Sequence, residues 1–162
     1  MTIIDYTMKS IPAHKLFKSS KGFTLIELLV VIGILAILLS IVLIAINPGR
    51  QFGQANDTKR TSAVTQILNA VGAYAADNKG NLPTAITTTA SEISNTGANL
   101  CSDLVPNYMP ALPTDPELNT ADIASPCPTT YSTGYNIVKD TNNRVTVSAP
   151  QAEISTPIEI TR

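Results

Sequence analysis

One apolar run near the N-terminus constrains this chain more than any other feature. Of the 24 residues from Phe23 to Ile46, 18 are Leu, Ile, Val or Phe, and the stretch from Leu28 to Ile46 has no charged side chain. As a helix the run would be about 36 Å long, which exceeds the roughly 30 Å hydrocarbon core of a bilayer. The run therefore predicts a membrane-spanning helix.

The residues before the run predict its orientation. Four lysines precede it, against one acid, Asp5; they are Lys9, Lys15, Lys18 and Lys21. The positive-inside rule then places residues 1–22 in the cytoplasm and the rest of the chain across the membrane. A secretory signal is disfavoured, because its apolar core is only about 7–15 residues long and a small-residue cleavage site follows it. A plain membrane anchor fits both the length and the lysines.

Glu27 is unusual for a plain anchor, because it lies five residues into the run. A carboxylate inside a membrane segment normally has a partner. Lys18 and Lys21 could reach Glu27 by extending their side chains along the helix. The alternative is a partner on another molecule.

The N-terminal string carries a specific family resemblance. From Lys21 to Ile32 the chain reads Lys-Gly-Phe-Thr-Leu-Ile-Glu-Leu-Leu-Val-Val-Ile, after a basic leader and ahead of a long apolar helix. This pattern resembles the N-terminus of type IV pilins and pseudopilins. The strict resemblance covers about 25 residues, and the layout of the remaining chain resembles the family more weakly.

The resemblance implies a prepilin with a cytoplasmic leader at residues 1–22. A dedicated membrane peptidase and methyltransferase would cut between Gly22 and Phe23 and N-methylate Phe23. Removing 22 of 162 residues leaves 140, with the apolar helix still attached. Glu27 of one subunit would pair with the new amine on Phe23 of a neighbour, since a desolvated carboxylate and a desolvated amine are each costly alone.

The same resemblance implies partners and a location. Mature subunits would wait in lipid as single-pass proteins of the inner membrane, with a cytoplasmic N-terminus. An assembly ATPase and an inner-membrane platform protein would then extract them into a homo-oligomeric filament that includes other pilins. The filament would be an extracellular pilus or a periplasmic pseudopilus.

The chain after the run predicts a second helix of different character. Residues 23–49 form the first half-helix, with a break at Pro48 and Gly49, and residues 50–162 form a globular domain. A helix from about Arg50 to Ala76 has an apolar stripe at three- and four-residue spacing. That stripe consists of Val64, Ile67, Leu68, Val71, Tyr74 and Ala75, whereas Asp57, Lys59 and Arg60 are predicted to face solvent.

The remaining elements predict an α+β fold. Six prolines between positions 100 and 130 exclude long helices and central strands there. Alternation over Thr133–Lys139 and Arg144–Ala149, joined by a turn-like stretch, predicts a hairpin. Ile154–Ile160 adds a third strand. We therefore expect the long helix to pack on a small antiparallel sheet of about three strands.

Cys101 and Cys127 are the only cysteines, and both follow the membrane segment. An oxidising compartment favours a disulfide between them, with two buried free thiols as the alternative. The 116 residues after Ile46 contain only 21 Leu, Ile, Val and Phe, so a covalent link would help a core this thin.

Composition excludes most catalytic chemistry. The single histidine, His14, lies in the leader, so the mature chain lacks a Ser-His-Asp or Cys-His arrangement, and it has no phosphate-binding glycine loop. We expect no enzyme, no cofactor and no metal. Asp115, Glu117 and Asp122 offer calcium as a weaker alternative to a solvated acidic loop.

The leading functional hypothesis is that this chain is a subunit of a type IV pilus. A pseudopilin of a type II secretion system is the second, weakened because the chain has no tryptophan and lacks the Asp-Pro-Trp-Gly stretch expected of the calcium-binding major pseudopilins. A membrane-anchored exported binding domain is the third. Nucleic acid is not indicated, since residues 23–162 have seven basic and eleven acidic side chains.

Overall fold

The computed structural model describes residues 22–162, and the chain divides between Ala45 and Ile46 into two units. The first unit contains all but the last residue of helix α1, Leu25–Ile46, in which no residue is buried. The leader and its lysines, which the sequence places at residues 1–22, lie outside the described residues except for Gly22. The second unit, Ile46–Arg162, is called the head below.

The head is an α+β unit in which one long helix covers an antiparallel sheet, as the sequence predicts. Helix α2 is Pro48–Asp77, and the short helix α3 is Cys101–Leu104. Four strands form the main sheet, and two two-residue strands, Ala111–Leu112 (β2) and Ile123–Ala124 (β3), form a second. The main strands are β1 (Ser91–Ser94), β4 (Ser132–Lys139), β5 (Val145–Ala149) and β6 (Ile158–Thr161).

The main sheet has the order β1-β4-β5-β6, and every neighbouring pair is antiparallel. The predicted hairpin is confirmed as β4 and β5, with Asn136 opposite Ser148. The expected count of about three strands becomes four because β1 joins the outer edge of β4. The third predicted strand begins at Ile158 rather than Ile154, and it follows Pro157 directly.

The core lies between the apolar face of α2 and the sheet. The stripe predicted from spacing is confirmed at Val64, Ile67, Leu68 and Val71, all of which are buried. Strand residues that alternate along β4 and β5 face this stripe, because side chains two apart share one face of a strand. The buried strand residues include Tyr135, Ile137, Val145, Val147 and Ala149.

The helix interruption lies one residue earlier than predicted. Helix α1 ends at Ile46, Asn47 has a left-handed backbone with φ 47°, and α2 begins at Pro48 rather than near Arg50. Proline lacks an N–H group and has a helical φ, so it fits the first position of a helix, while it disfavours helical angles at the residue before it. Pro48 and Gly49 therefore start the second helix, and Asn47 forms the break.

Candidate functional site

Helix α1 is long and apolar enough to cross a membrane. It has 22 residues with a mean hydropathy of 3.4, and within the described chain it is the one helix that meets this criterion. All 18 of its large apolar side chains, counting Phe23 just before it, are exposed. A helix that is apolar on every side needs lipid or other protein around it.

Gly22 and Phe23 precede α1 in a non-helical segment. Both residues are exposed, Phe23 to 83%, and among residues 24–162 no atom lies within 4 Å of the position that a Cβ on Gly22 would occupy. The Gly22–Phe23 bond therefore lies outside helix α1, which begins at Leu25. The absence of a side chain on Gly22 also allows close approach to the backbone.

Thr24 and Glu27 form a reciprocal cap at the start of α1. Glu27 Oε2 accepts hydrogen bonds from Thr24 N (2.8 Å) and Thr24 Oγ1 (2.7 Å), and Glu27 N donates to Thr24 Oγ1 (3.3 Å). This is the capping box, in which the first residue before a helix and the third residue inside it satisfy each other's backbone. This role of Thr24 and Glu27 was not predicted, although Thr-x-x-Glu ahead of an apolar run is the signature of a capping box.

The cap gives Glu27 a role within its own chain, in addition to the intermolecular pairing that the family resemblance implies. Only Oε2 takes part in the cap, and Oε1 makes no hydrogen bond within residues 22–162. The carboxylate can therefore stabilise the helix start and still accept a bond from another molecule. Its relation to Lys18 and Lys21 lies outside the described residues.

An ion-pair network around the buried Arg60 side chain lies in the head, and it corrects one prediction. Asp57 and Arg60 were expected to face solvent, but their exposed fractions are 3% and 0%. Arg60 donates from Nε and NH2 to the two oxygens of Asp115, at 2.8 and 3.0 Å, and from NH1 to Asp57 (3.0 Å) and Glu153 (3.1 Å). The guanidinium thus connects α2 to two loops that are distant in sequence.

Asp57 fixes the loop between β5 and β6. Its carboxylate accepts backbone N–H bonds from Glu153 (3.0 Å), Ile154 (2.7 Å) and Ser155 (2.7 Å). Burial by itself would raise the pKa of Asp57, but these three donors, together with Arg60, hold the pKa far below its ordinary value. The residues predicted to start a third strand are instead bound to Asp57 through their backbones.

The acidic loop is also organised differently from the solvated loop that was expected. Asp115 is buried, and Arg60 binds both of its oxygens, while Asp122 Oδ1 accepts from Thr114 N (3.0 Å). Glu117 remains half exposed at 3.7 Å from Arg60 NH2. Within residues 22–162, no group of three or more His, Cys, Asp or Glu side chains is arranged to hold a metal ion.

The predicted disulfide between Cys101 and Cys127 is present. Cys101 begins α3, and its backbone N–H donates to the hydroxyl of Tyr131 (3.3 Å), which in turn donates to Asn99 Oδ1 (2.9 Å). The bond therefore ties the proline-rich loop to a hydrogen-bonded and buried part of the head.

Comparison with known proteins identifies the motif at the start of α1. Residues 17–43 match the family described as the prokaryotic N-terminal methylation motif, the signal motif of type IV pilins and pseudopilins. No curated protein and no solved structure matches the chain significantly. The chain therefore carries the signal motif of structural pilin-type proteins, and that motif includes Gly22, Phe23, Thr24 and Glu27.

Proposed function

We propose that the chain is a prepilin that becomes a structural subunit of a type IV pilus. The observation that carries the proposal is the methylation motif followed directly by a 22-residue apolar helix with no buried side chain. After processing, this helix would leave lipid and pack against copies of itself. The heads would form the outer coat of the filament.

Processing would take place at the Gly22–Phe23 bond. The exposed, non-helical backbone there suits a membrane-associated prepilin peptidase, and the product would begin with N-methylated Phe23. Mass spectrometry of the protein isolated from its own membranes tests this step. We expect a chain of 140 residues that starts with methyl-Phe23, whereas an intact leader would contradict the proposal.

Glu27 would direct assembly through its negative charge. In a low-dielectric filament centre an unpaired carboxylate is costly, so a neighbouring Phe23 amine would fix the register between subunits. The capping box offers a competing explanation for any effect of mutating Glu27, because a lost cap weakens a helix start by about 0.5–2 kcal/mol. The two roles need variants that separate them.

Glu27→Gln separates the charge from the cap. Gln serves a capping box as Glu does, so this variant keeps the helix start and removes only the charge. We expect processed Glu27→Gln subunits to stay in the membrane and to give no sheared filaments. The matched control is Thr24→Ala, which weakens the cap and keeps the carboxylate; it should still assemble. Normal filaments from Glu27→Gln, or failure of both variants alike, would refute pairing by charge.

Pseudopilins of type II secretion systems carry the same motif as pilus subunits. The cellular location of the filaments must therefore distinguish a pilus subunit from a pseudopilin. Shearing of intact cells should release long filaments in which this chain is a principal component. A chain that carries methyl-Phe23 but is confined to the periplasmic side would instead identify a pseudopilin. An anchored binding domain would show neither filaments nor methylation.

A further inference from the structure

Three large apolar side chains of the head are exposed. Within residues 46–162 these are Ile46 (49%), Phe52 (71%) and Ile154 (45%). Ile46 and Phe52 lie six residues apart where the chain enters the head, whereas Ile154 is distant from both in sequence. Single exposed apolar residues are normal on a protein surface, but a group of them marks an interaction site.

The fold brings Ile154 to the first turns of α2. A Cβ built on Gly53 would lie 3.2 Å from Ile154 Cγ1, so the Ile154 side chain rests on the backbone of the residue next to Phe52. The backbone there is held in place, because the N–H groups of residues 153–155 all donate to Asp57. Phe52 and Ile154 are therefore neighbours at the start of α2, and we call them the apolar patch.

Chain connectivity keeps the apolar patch close to the end of α1. Phe52 follows Ile46, the last residue of α1, by six residues, which span at most about 22 Å of chain. Helix α1 itself is about 33 Å long, slightly more than the roughly 30 Å hydrocarbon core of a bilayer. The end of α1 therefore reaches the headgroup layer, and Phe52 lies within reach of the same bilayer surface.

The charged groups beside the apolar patch do not favour an anionic surface. Arg50 is exposed, and every ion pair among residues 22–162 involves Arg60 instead, so the Arg50 guanidinium is available to a lipid phosphate. Glu153, however, adjoins Ile154, and its side chain is 34% exposed. Because this carboxylate would repel anionic lipids, apolar contact has to supply the attachment.

We propose that Phe52 and Ile154 insert into the headgroup layer of the bilayer that α1 spans, and so seat the head on a lipid surface before assembly. Apolar side chains at such an interface lie about 5–10 Å deep, at the boundary between headgroups and acyl chains. The partner is a zwitterionic lipid surface. The proposal rests on the membrane-spanning role of α1, and it holds for a pilus subunit and for a pseudopilin alike.

Single tryptophans test this contact, because the chain contains none of its own. The full-length variants Phe52→Trp and Ile154→Trp are placed singly in phosphatidylcholine nanodiscs whose acyl chains carry quenching bromine atoms near the glycerol. The control is Thr141→Trp, in the exposed turn between β4 and β5. We expect quenching at least about twice that of the control in both patch variants, and the same result in high salt, since apolar contact is not screened.

The control position is remote from the apolar patch. Asn143, two residues after Thr141, lines a groove together with Asn69 and Gly72. These α2 residues follow Phe52 by 17 and 20 positions, which is about 25–30 Å along the helix. Equal quenching at the patch and at the control would therefore mean that the patch does not contact lipid, and it would overturn the proposal.

Leu35→Trp, in the middle of α1, reports separately on insertion of that helix. It should be quenched by bromine atoms placed deep in the acyl chains. If it is quenched and the patch variants are not, only the lipid contact is overturned, whereas no quenching in Leu35→Trp would overturn the membrane-spanning role as well. A blue shift of the patch variants that requires two copies in one nanodisc would identify a second copy as the partner, and it would also overturn the lipid contact.

Phe52→Ser in the Ile154→Trp background tests whether the two side chains insert together. Phe52 is largely exposed, so the change should leave the melting temperature of the head unchanged. Quenching in the Ile154→Trp background should fall by about half, because half of the inserted apolar group is lost. Gln54→Ser, an exposed change in the same turn of α2, is the matched control and should have no effect. Unchanged quenching in Phe52→Ser would overturn joint insertion.

Discussion

Replacing Arg60 should cost the head more stability than any other single charge change on α2. In Arg60→Met the guanidinium is lost while Asp115, whose side chain is fully buried, keeps its charge. Its remaining hydrogen bond comes from the backbone N–H of Glu117 (3.0 Å). Asp57 retains three backbone donors, and Glu153 is partly exposed to water, so the penalty falls mainly on Asp115.

The magnitude follows from that uncompensated charge. Removing one partner of a buried ion pair costs about 3–5 kcal/mol, which is a large share of the 5–15 kcal/mol typical of a whole domain. For a unit of this size we expect the melting temperature to fall by roughly 10–25 °C. Arg60→Met/Asp115→Asn removes the stranded charge as well, and should recover about 1–3 kcal/mol of the loss.

Tyrosine provides the assay. Four of the five tyrosines lie in the head at positions 74, 108, 131 and 135, and α1 contains none. Near-ultraviolet circular dichroism of the full-length chain in detergent therefore follows unfolding of the head during a urea titration. The matched control is Lys59→Met, which removes an exposed charge from the neighbouring position and should change stability by less than about 0.5 kcal/mol.

Two results would refute this reasoning. One is a loss of less than about 1 kcal/mol in Arg60→Met, which would mean that water reaches Asp115 once the guanidinium is gone. The other is a double variant no more stable than Arg60→Met. In that case the cost would come from lost packing of the long Arg60 side chain rather than from the charge on Asp115.

Three further predictions concern the head. The lowered pKa of Asp57 means that its stabilising contribution is complete above its unfolded pKa of about 4 and is lost as pH falls towards the folded value; urea midpoints measured from pH 7 to pH 2 should therefore fall less steeply below pH 4 in Asp57→Asn. Replacing both Cys101 and Cys127 by Ser should lower the free energy of unfolding by about 2–5 kcal/mol in the same titration. Gly134→Ala should destabilise by about 1–3 kcal/mol, because Gly134 has φ 78° and a Cβ there would lie 2.9 Å from Asp115 Cβ; an unchanged urea midpoint would contradict this.

Sequence patterns predicted the elements with clear periodicity. The stripe on α2 and the hairpin of β4 and β5 each follow from one repeated spacing of side chains, whereas helix α1 follows from the length of a continuous apolar run. Strand β1 was harder to predict, because its four residues, Ser91–Ser94, contain one large apolar side chain and pair with an edge of β4 that is distant in sequence. Such pairing depends on tertiary contacts that local propensity does not contain.

The buried ion pairs show why charge was a misleading signal. Asp57 and Arg60 lie seven and four residues before Val64, so they continue the apolar stripe in the N-terminal direction with the same spacing. Their charges led to the prediction of a solvent-facing position, which is the usual location of charged residues. The spacing alone would have placed them in the interior. Their partners, Asp115 and the 153–155 backbone, could not be identified without the fold.

The exposed surface of α1 connects these observations to assembly. Soluble monomers rarely expose apolar patches larger than a few hundred Å², yet every one of the 18 large apolar residues from Phe23 to Ile46 is exposed. The head, in contrast, buries its own core and ties its loops through Arg60 and the disulfide. The surface that remains to be covered is therefore α1. In the proposed pilus, lipid covers this surface first and other α1 helices cover it after assembly. Glu27 is a charge in an apolar environment both in lipid and among other α1 helices. A partner amine that is available in only one of these two environments would therefore favour that environment.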